Sequence, residues 1–341
     1  MAGMVQIRQL TAEDPAFEAW HAGIRAAHRA GRESSWWESP ESTRVYLGRK
    51  STRFARMAIG AFDGATCVGG AELAMPLQHD IETISVELGV PPLHRGRGVG
   101  TSLAAYVENI AAQHDRTVLQ AELHVPAGMT VGDTDGGRFA SARGMRSVSA
   151  EDRFLLELPV DGERVAKLRA VEDGYRITSF VDRVPDAYVV EWARMQTHMN
   201  QDVPMGELTH TPQQVDVTRI RDAERTFAEQ GWTRLRSLAL TPDGSGAGYT
   251  EMFVSRYDDE FVIQDDTFVD RSHRGHRLGA RLKLANLDNL DALRARTGAG
   301  RRWVQTYTEQ HNTAMQHTND AFGFRRVDVL HELEGPVGGR G

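Results

Sequence analysis

The feature that most limits what this chain can fold into is an internal repeat. Val90-Pro-Pro-Leu-His-Arg95-Gly96-Arg97-Gly98-Val99-Gly100 has a counterpart in Val269-Asp-Arg-Ser-His-Arg274-Gly275-His276-Arg277-Leu278-Gly279, with matched positions 179 residues apart. The same offset relates Leu103 to Leu282, Asp133 to Asn312 and Gly144 to Gly323. Two glycine loops can match by accident, but a register held over roughly 50 residues with no net insertion marks two tandem copies of one domain fold. A length of 341 residues suits two domains, each large enough for its own core.

The element pattern agrees. In the first copy, residues 6–10 predict a strand, 15–29 a helix, and 58–62, 67–73 and 85–90 successive strands, with Asp63-Gly64 as a tight turn. Val99, Leu103, Tyr106, Val107 and Ile110 recur at helical spacing, so an amphipathic helix starts on the glycine loop. A strand at 118–125, a short helix at 138–143 and a strand at 153–158 complete that copy. The second copy reads as strands at 251–255 and 261–269, a Leu-rich helix from 278 to 294, a strand at 303–308, a helix at 313–321 and a closing strand near 326–330. The expected domains are 1–159 and 187–334, with a connecting segment at 160–186 and a flexible tail at 335–341.

Composition narrows the function. Hydrophobic residues at 40% and charged residues at 26% are ordinary for a folded protein. One cysteine, Cys67, excludes an internal disulfide and a thiolate metal cluster and points to a reducing cytoplasm; its apolar strand predicts a buried thiol, not a nucleophile. No apolar run suits a signal peptide or approaches the roughly 20 residues of a membrane span. A net charge of −7 argues against nucleic acid as the main partner. The thirteen histidines show no His-Glu-x-x-His spacing, so no metal is expected.

A strand followed by a short spacer, glycines and an amphipathic helix makes an anion site, because a helix N-terminus offers unpaired N–H groups and glycines allow close approach. A Walker loop is excluded, since Gly-Lys-Ser/Thr is absent. A dinucleotide loop fits poorly: Gly96-x-Gly98-x-Gly100 has the wrong spacing, and the preceding strands look antiparallel.

Arg95-x-x-Gly98-x-Gly100 after Val90-Pro91-Pro92 resembles the acetyl-CoA loop of the GNAT N-acetyltransferase superfamily. Asn312-x-x-Met315-x-x-x-Asn319-x-x-x-Gly323-Phe324 is similar to that family's later motif. The two-domain pattern looks like the tandem acetyltransferases of actinobacteria, the group related to mycothiol synthase. The resemblance implies an α/β (α+β) fold of two tandem GNAT domains, each a mixed, mostly antiparallel twisted sheet flanked by helices. It also implies acetyl-CoA as co-substrate, held by Val90, Arg95, Gly96, Arg97, Gly98, Val99 and Gly100 in the first copy. In the second, Thr267, Phe268, Val269, Arg274, Gly275, His276, Arg277, Leu278, Gly279 and Asn312 would hold it.

Acetyl transfer to an amine needs a held thioester, donors for the oxyanion and a base. In the family a carboxylate on the strand before the loop often serves as base; the matching positions are Glu87 and Asp266, with a solvent-facing or arginine-paired carboxylate as the structural alternative. The family's acid tyrosine falls on Ala140 in one copy and on Asn319 in the other, so neither copy has it; Asn319 is retained as a candidate, against a surface capping role. Asp133 stands where the second copy has Asn312, and Arg277 replaces a loop glycine; the better-kept downstream motif favours the second copy as catalytic. Trp36 and Trp37 suit either an acceptor wall or packing, and His94 and His273 suit packing beside the loops. The expected function is acetyl-CoA-dependent N-acetylation of a primary amine on a small-molecule acceptor by direct attack, in a cytoplasmic monomer or homodimer. The alternatives are a non-catalytic acyl-CoA-binding or sensing protein, and mycothiol synthase.

Overall fold

The computed structural model describes residues 5–169, 174–202, 206–298 and 300–339. In chain order the elements are β1 (Gln6–Leu10), α1 (Phe17–Arg29), α2 (Pro40–Gly48), β2 (Phe54–Asp63), β3 (Thr66–Pro76), β4 (Thr83–Gly89), α3 (Val99–Gln113), β5 (Val118–Pro126), α4 (Asp135–Ser141) and β6 (Arg146–Glu157). They continue with α5 (Gly162–Arg169), β7 (Arg176–Val181), α6 (Val189–Asp202), α7 (Val217–Glu229), β8 (Trp232–Leu240), β9 (Gly246–Ser255), β10 (Phe261–Val269), α8 (Leu278–Thr297), β11 (Trp303–Glu309), α9 (Thr313–Phe322) and β12 (Arg325–Pro336).

These elements form two compact units. The first takes the described residues within Met1–Ala150, Met205–Thr211 and Asp328–Gly341; the second takes those within Glu151–Pro204 and Pro212–Val327. The first unit's sheet runs β1-β2-β3-β4-β5-β12, and the second's runs β7-β8-β9-β10-β11-β6. In each unit one pairing is parallel, β4 with β5 and β10 with β11. Both sheets are thus mixed and mostly antiparallel.

The units are not the linear halves expected from the repeat. The strand read as closing the first copy pairs with β11, from Trp303↔Glu157 to Glu309↔Glu151. The last strand of the chain pairs with β5, from Asp328↔Pro126 to Pro336↔Val118. Both closing strands are apolar at alternate positions, so period-2 patterning cannot tell which sheet each one joins. Of the tail expected at 335–341, Gly335 and Pro336 lie in β12 and the Val337 N–H donates to Thr117 O; residues 340 and 341 lie outside the described residues. The segment expected as a connector holds α5 and β7, while residues 170–173 lie outside the described residues.

Each core follows from strand parity. Neighbours along β2 point to opposite faces. Ile59 therefore packs with Leu73, Ile84 and Val86 against Val99, Leu103 and Val107 of α3. Ala58 packs with Leu10, Phe62 and Cys67 against Phe17, Trp20 and Ile24 of α1. The Cys67 thiol donates to Gly69 O at 3.3 Å, and burial pushes its pKa up. In the second unit α8 lays Leu284, Leu287 and Leu290 onto Leu235, Met252, Val262 and Val304, while Trp192 and Met195 of α6 pack with Leu240, Tyr249 and Phe268.

The second core also holds charge. Glu251 accepts from Arg234 Nη2 at 2.6 Å and Arg236 Nε at 2.5 Å, and Arg236 Nη1 reaches Glu224 at 2.8 Å. Glu251→Gln keeps the volume but leaves two buried guanidinium groups short of a counter-charge. It should lower unfolding free energy by about 3–5 kcal/mol in denaturant titrations.

Candidate active site

The parallel pairing of the first unit covers Thr83↔Val118, Ile84↔Leu119 and Ser85↔Gln120 and stops there, although β4 continues to Gly89 and β5 to Pro126. In the second unit it covers Phe261↔Trp303, Val262↔Val304 and Ile263↔Gln305. Beyond each fork, strand backbone faces a gap where an extended amide chain can pair.

Each fork leads into its glycine loop. A one-turn helix at Pro92–His94 precedes Arg95, whose Nε donates to Val90 O at 3.0 Å; Arg271–His273 precedes Arg274, whose Nε donates to Val269 O at 3.2 Å. Gly96, Gly98 and Gly275 have φ of +73°, +80° and +90°, so these turns demand the left-handed region. Arg277 occupies it at φ +55°, a conformation costing about 1 kcal/mol for a side chain with a Cβ. Neither α3 nor α8 has a side-chain cap, so the first-turn N–H groups around Val99–Gly100 and Leu278–Gly279 can receive an anion. Arg97, Gly98, His276 and Arg277 are exposed, whereas Val99, Leu278 and Phe268 are buried and Thr267 pairs with Thr250.

The downstream motif is local structure. Asn312 caps α9, its Oδ1 accepting from Met315 N at 3.1 Å; in the first unit Thr134 caps α4, accepting from Gly137 N at 2.9 Å. Asp133 turns back onto Thr130, accepting from its N and Oγ1, and these bonds hold its carboxyl below the usual range. Asn319 is not a surface cap. It is buried, accepts from Lys283 Nζ at 2.6 Å and donates to Thr308 Oγ1 at 3.0 Å. Burial lowers Lys283 to about 7. The positions 179 residues earlier are Ala104 and Ala140.

The carboxylates separate the two units. A cavity of about 260 Å³ lies in the first, lined by Tyr46, Glu72, Ser85, Glu87, Gln120, Glu122, Leu208 and Glu332 among others. Glu72 stands directly opposite Glu87, and Glu122 directly opposite Glu332. Like charges in that position oppose folding. Burial, reinforced by Glu87, lifts Glu72 to about 7 against the pull of Arg56; burial lifts Glu87 to about 7 against Arg32; burial and then Glu122 lift Glu332 to about 6. Burial likewise raises Tyr46, which Arg56 covers at 4.0 Å, so the phenol keeps its proton. Glu87 Oε1 meets His28 Nδ1 at 3.2 Å, and Trp37 packs on the His28 ring at 4.5 Å. Thr209 donates its N–H and hydroxyl to Glu334, and Gln120 donates to Thr209 O, which fixes residues 206–211 beside the cavity.

In the second unit the corresponding groups are matched with partners. Asp266 accepts from the Tyr249 hydroxyl at 2.7 Å, and burial leaves it at about 6. Glu251 holds its two arginines. Two residues past Gln305 stands Tyr307, opposite the fully buried Arg153, whose Nε donates to Gln305 at 2.8 Å. His273 accepts from or donates to the Tyr175 hydroxyl at 3.0 Å.

Residues 18–127 match the acetyltransferase (GNAT) family. A solved tandem GNAT protein from the clavulanic acid biosynthesis pathway superposes with TM-score 0.81 at 25% identity, over 98% of this chain and 99% of that one. Residues 18–127 thus carry a GNAT acetyltransferase domain. Curated relatives include a mycothiol acetyltransferase of Kocuria rhizophila, 28% identical over 86% of this chain and 90% of the relative. Another, from Sanguibacter keddieii, is 27% identical over 74% and 75%. Among the described residues no helix is long and apolar enough to cross a membrane.

Sequence reasoning singled out Glu87 but missed Glu72, Glu122, Glu332 and Tyr46. Pairing β3 with β4 by their alternation would have opposed Glu72 to Glu87; nothing in the pattern placed β12 beside β5.

The raised carboxyls set the pH response of the resting protein. Glu72 is near 7 when folded and near 4.5 in the unfolded chain, so between those values the folded state holds a proton that the unfolded state has lost. The contribution of Glu72 to stability therefore falls as pH rises from about 4.5 to 7 and is level above. Glu72→Gln should stabilise the protein by about 1 kcal/mol at pH 8, and by nothing near pH 4, in urea titrations.

Proposed function

We propose that this protein transfers the acetyl group of acetyl-CoA to a primary amine of a small cationic acceptor, and that the first unit is the catalytic one. The observation that carries this reading is the juxtaposition of the β4–β5 fork, the uncapped α3 N-terminus and a glutamate-lined cavity containing Glu87. The donor set suits the co-substrate: first-turn N–H groups for a pyrophosphate, and the backbone of Glu87–Val90 for an amide-bearing thioester arm. The cavity's carboxylates favour an acceptor that arrives as an ammonium ion.

Glu87 takes the acceptor's proton. A carboxylate near 7 is a better match to an alkylammonium than one near 4.5, and it is still ionised in useful amount at neutral pH. The freed amine attacks the thioester carbonyl and the C–N bond forms; the C–S bond then breaks as the second nitrogen proton passes to the departing sulfur, so that CoA leaves as the thiol. This favours the first unit over the second, where Asp266 already holds Tyr249 and arginines fill the equivalent sheet face.

A mycothiol-type acceptor is a second reading, favoured by the similarity to mycothiol acetyltransferases. It predicts turnover of the amine of the cysteinyl pseudodisaccharide in preference to simple diamines and amino sugars.

Calorimetric titration with acetyl-CoA should find one site per chain, lost in Gly100→Trp and kept in Gly279→Trp. Glu87→Gln should lower kcat about 10²-fold or more while acetyl-CoA still binds, whereas Asp266→Asn should cost far less. In the parent protein kcat/KM should rise with pH through about 7, and Glu87→Gln should flatten that limb. Acetyl-CoA binding with no thiol release across an amine panel would instead identify an acyl-CoA-binding protein.

A further inference from the structure

The neighbours of Glu87 define a second tier of chemistry. His28, near the end of α1, places Nδ1 against Glu87 Oε1 at 3.2 Å. Its other ring nitrogen, Nε2, is hydrogen-bonded by Arg32 Nη1. Arg32 is itself anchored, its Nε donating to Asp328 of β12 at 3.2 Å, and both side chains are almost wholly buried. A guanidinium has donors and no acceptor, and it does not deprotonate in proteins. The nitrogen it faces must therefore be the bare one, which puts the ring proton on Nδ1, aimed at the carboxylate. The groups facing this array are Glu87 on β4, Arg32 after α1, Asp328 on β12, His124 on β5 with ring centroids 5.4 Å apart, and the Trp37 ring at 4.5 Å.

We propose that His28 is a positioning residue for Glu87: Arg32, held by Asp328, locks the Nδ1–H tautomer, and that N–H pins Oε1 so that the other carboxylate oxygen is presented to the acceptor amine in the cavity. This rests on the reading of Glu87 as the base. The order is cation, imidazole, carboxylate, with the imidazole orienting the base and keeping its own proton. Arg32 lies just past the end of α1, beyond Gly31 at φ +73°, and the chain there brings its guanidinium back to His28, where β4 and β12 supply Glu87 and Asp328.

The first test needs no turnover. Nitrogen-15 NMR of the full chain, with the His28 resonances assigned by loss in His28→Gln, should show a protonated Nδ1 and a bare Nε2 at neutral pH. Arg32→Met should remove that bias and give a mixture of tautomers. A ring with its proton on Nε2 in the parent protein, or one unchanged by Arg32→Met, would overturn the proposal. The second test is kinetic. A hydrogen bond donated to a carboxylate favours its charged form, so removing it should move the ascending limb of kcat/KM to higher pH in His28→Phe, with kcat lower by about 10-fold to 100-fold. His28→Asn, which can still offer an N–H near the Nδ1 position, should restore the limb; a limb unmoved in His28→Phe would overturn the role. If the tautomer is as stated and no amine is acetylated, the acyl-transfer reading fails while the Arg32–His28–Glu87 lock stands.

Discussion

The structure of the site depends on where two parallel strands stop pairing. After Ser85 and Gln120 the strands β4 and β5 part, and everything chemical in the first unit is arranged around that point. Side chains alternate along a strand, so the residue two positions past each last pair shares a face with it. Those residues are Glu87 and Glu122. The antiparallel neighbours add Glu72 and Glu332 to the same face, opposite each in turn. The other face carries Ile84 and Val86 onto α3, so the helix that ends the glycine loop and the cavity lie on opposite sides of one sheet. In the reaction proposed above, a donor reaching in along the fork and an acceptor approaching from the cavity would meet at Glu87 without either crossing the sheet.

Two opposed glutamate pairs are an expense that a purely structural sheet avoids, and the second unit shows the structural solution. There Glu251 is neutralised by Arg234 and Arg236, and the position matching Glu332 across the last strand is the buried Arg153. Both units keep the same fork and the same left-handed loop, even where Arg277 makes that loop less favourable. Backbone geometry is thus common to both, while the charges on the sheet face differ: in the second unit arginines neutralise Glu251, and in the first the glutamates line a cavity.

Much of this was legible in the sequence because it is local. The repeat offset, the glycine loop ahead of an amphipathic helix, Glu87 on the strand before that loop and Cys67 in an apolar strand all follow from spacing and parity, and the structure places them so. What escaped was non-local or unpatterned. The short α2, carrying Tyr46, is marked by Ser39 and Pro40 at its start, but its brief apolar pattern is weak. Asp133 matched Asn312 by count, yet the cap fell on the neighbouring Thr134, because a one-residue shift costs a loop little and decides which oxygen reaches the helix.

The destination of the closing strands was the least readable feature, and it has the largest consequence. Strand pattern specifies which face is buried, not which sheet edge will be joined, and β5 and β11 offer edges of the same kind. Because β12 belongs to the first unit, the cavity that holds Glu87 is completed by Glu332, Asp328 anchors the arginine that bonds His28, and Glu334 fixes residues 206–211 at its side. The site proposed in the first unit therefore draws on residues nearly the full length of the chain apart. A tandem repeat built this way cannot lose its second half and keep a working first one, so the second unit need not be catalytic for the chain to retain it.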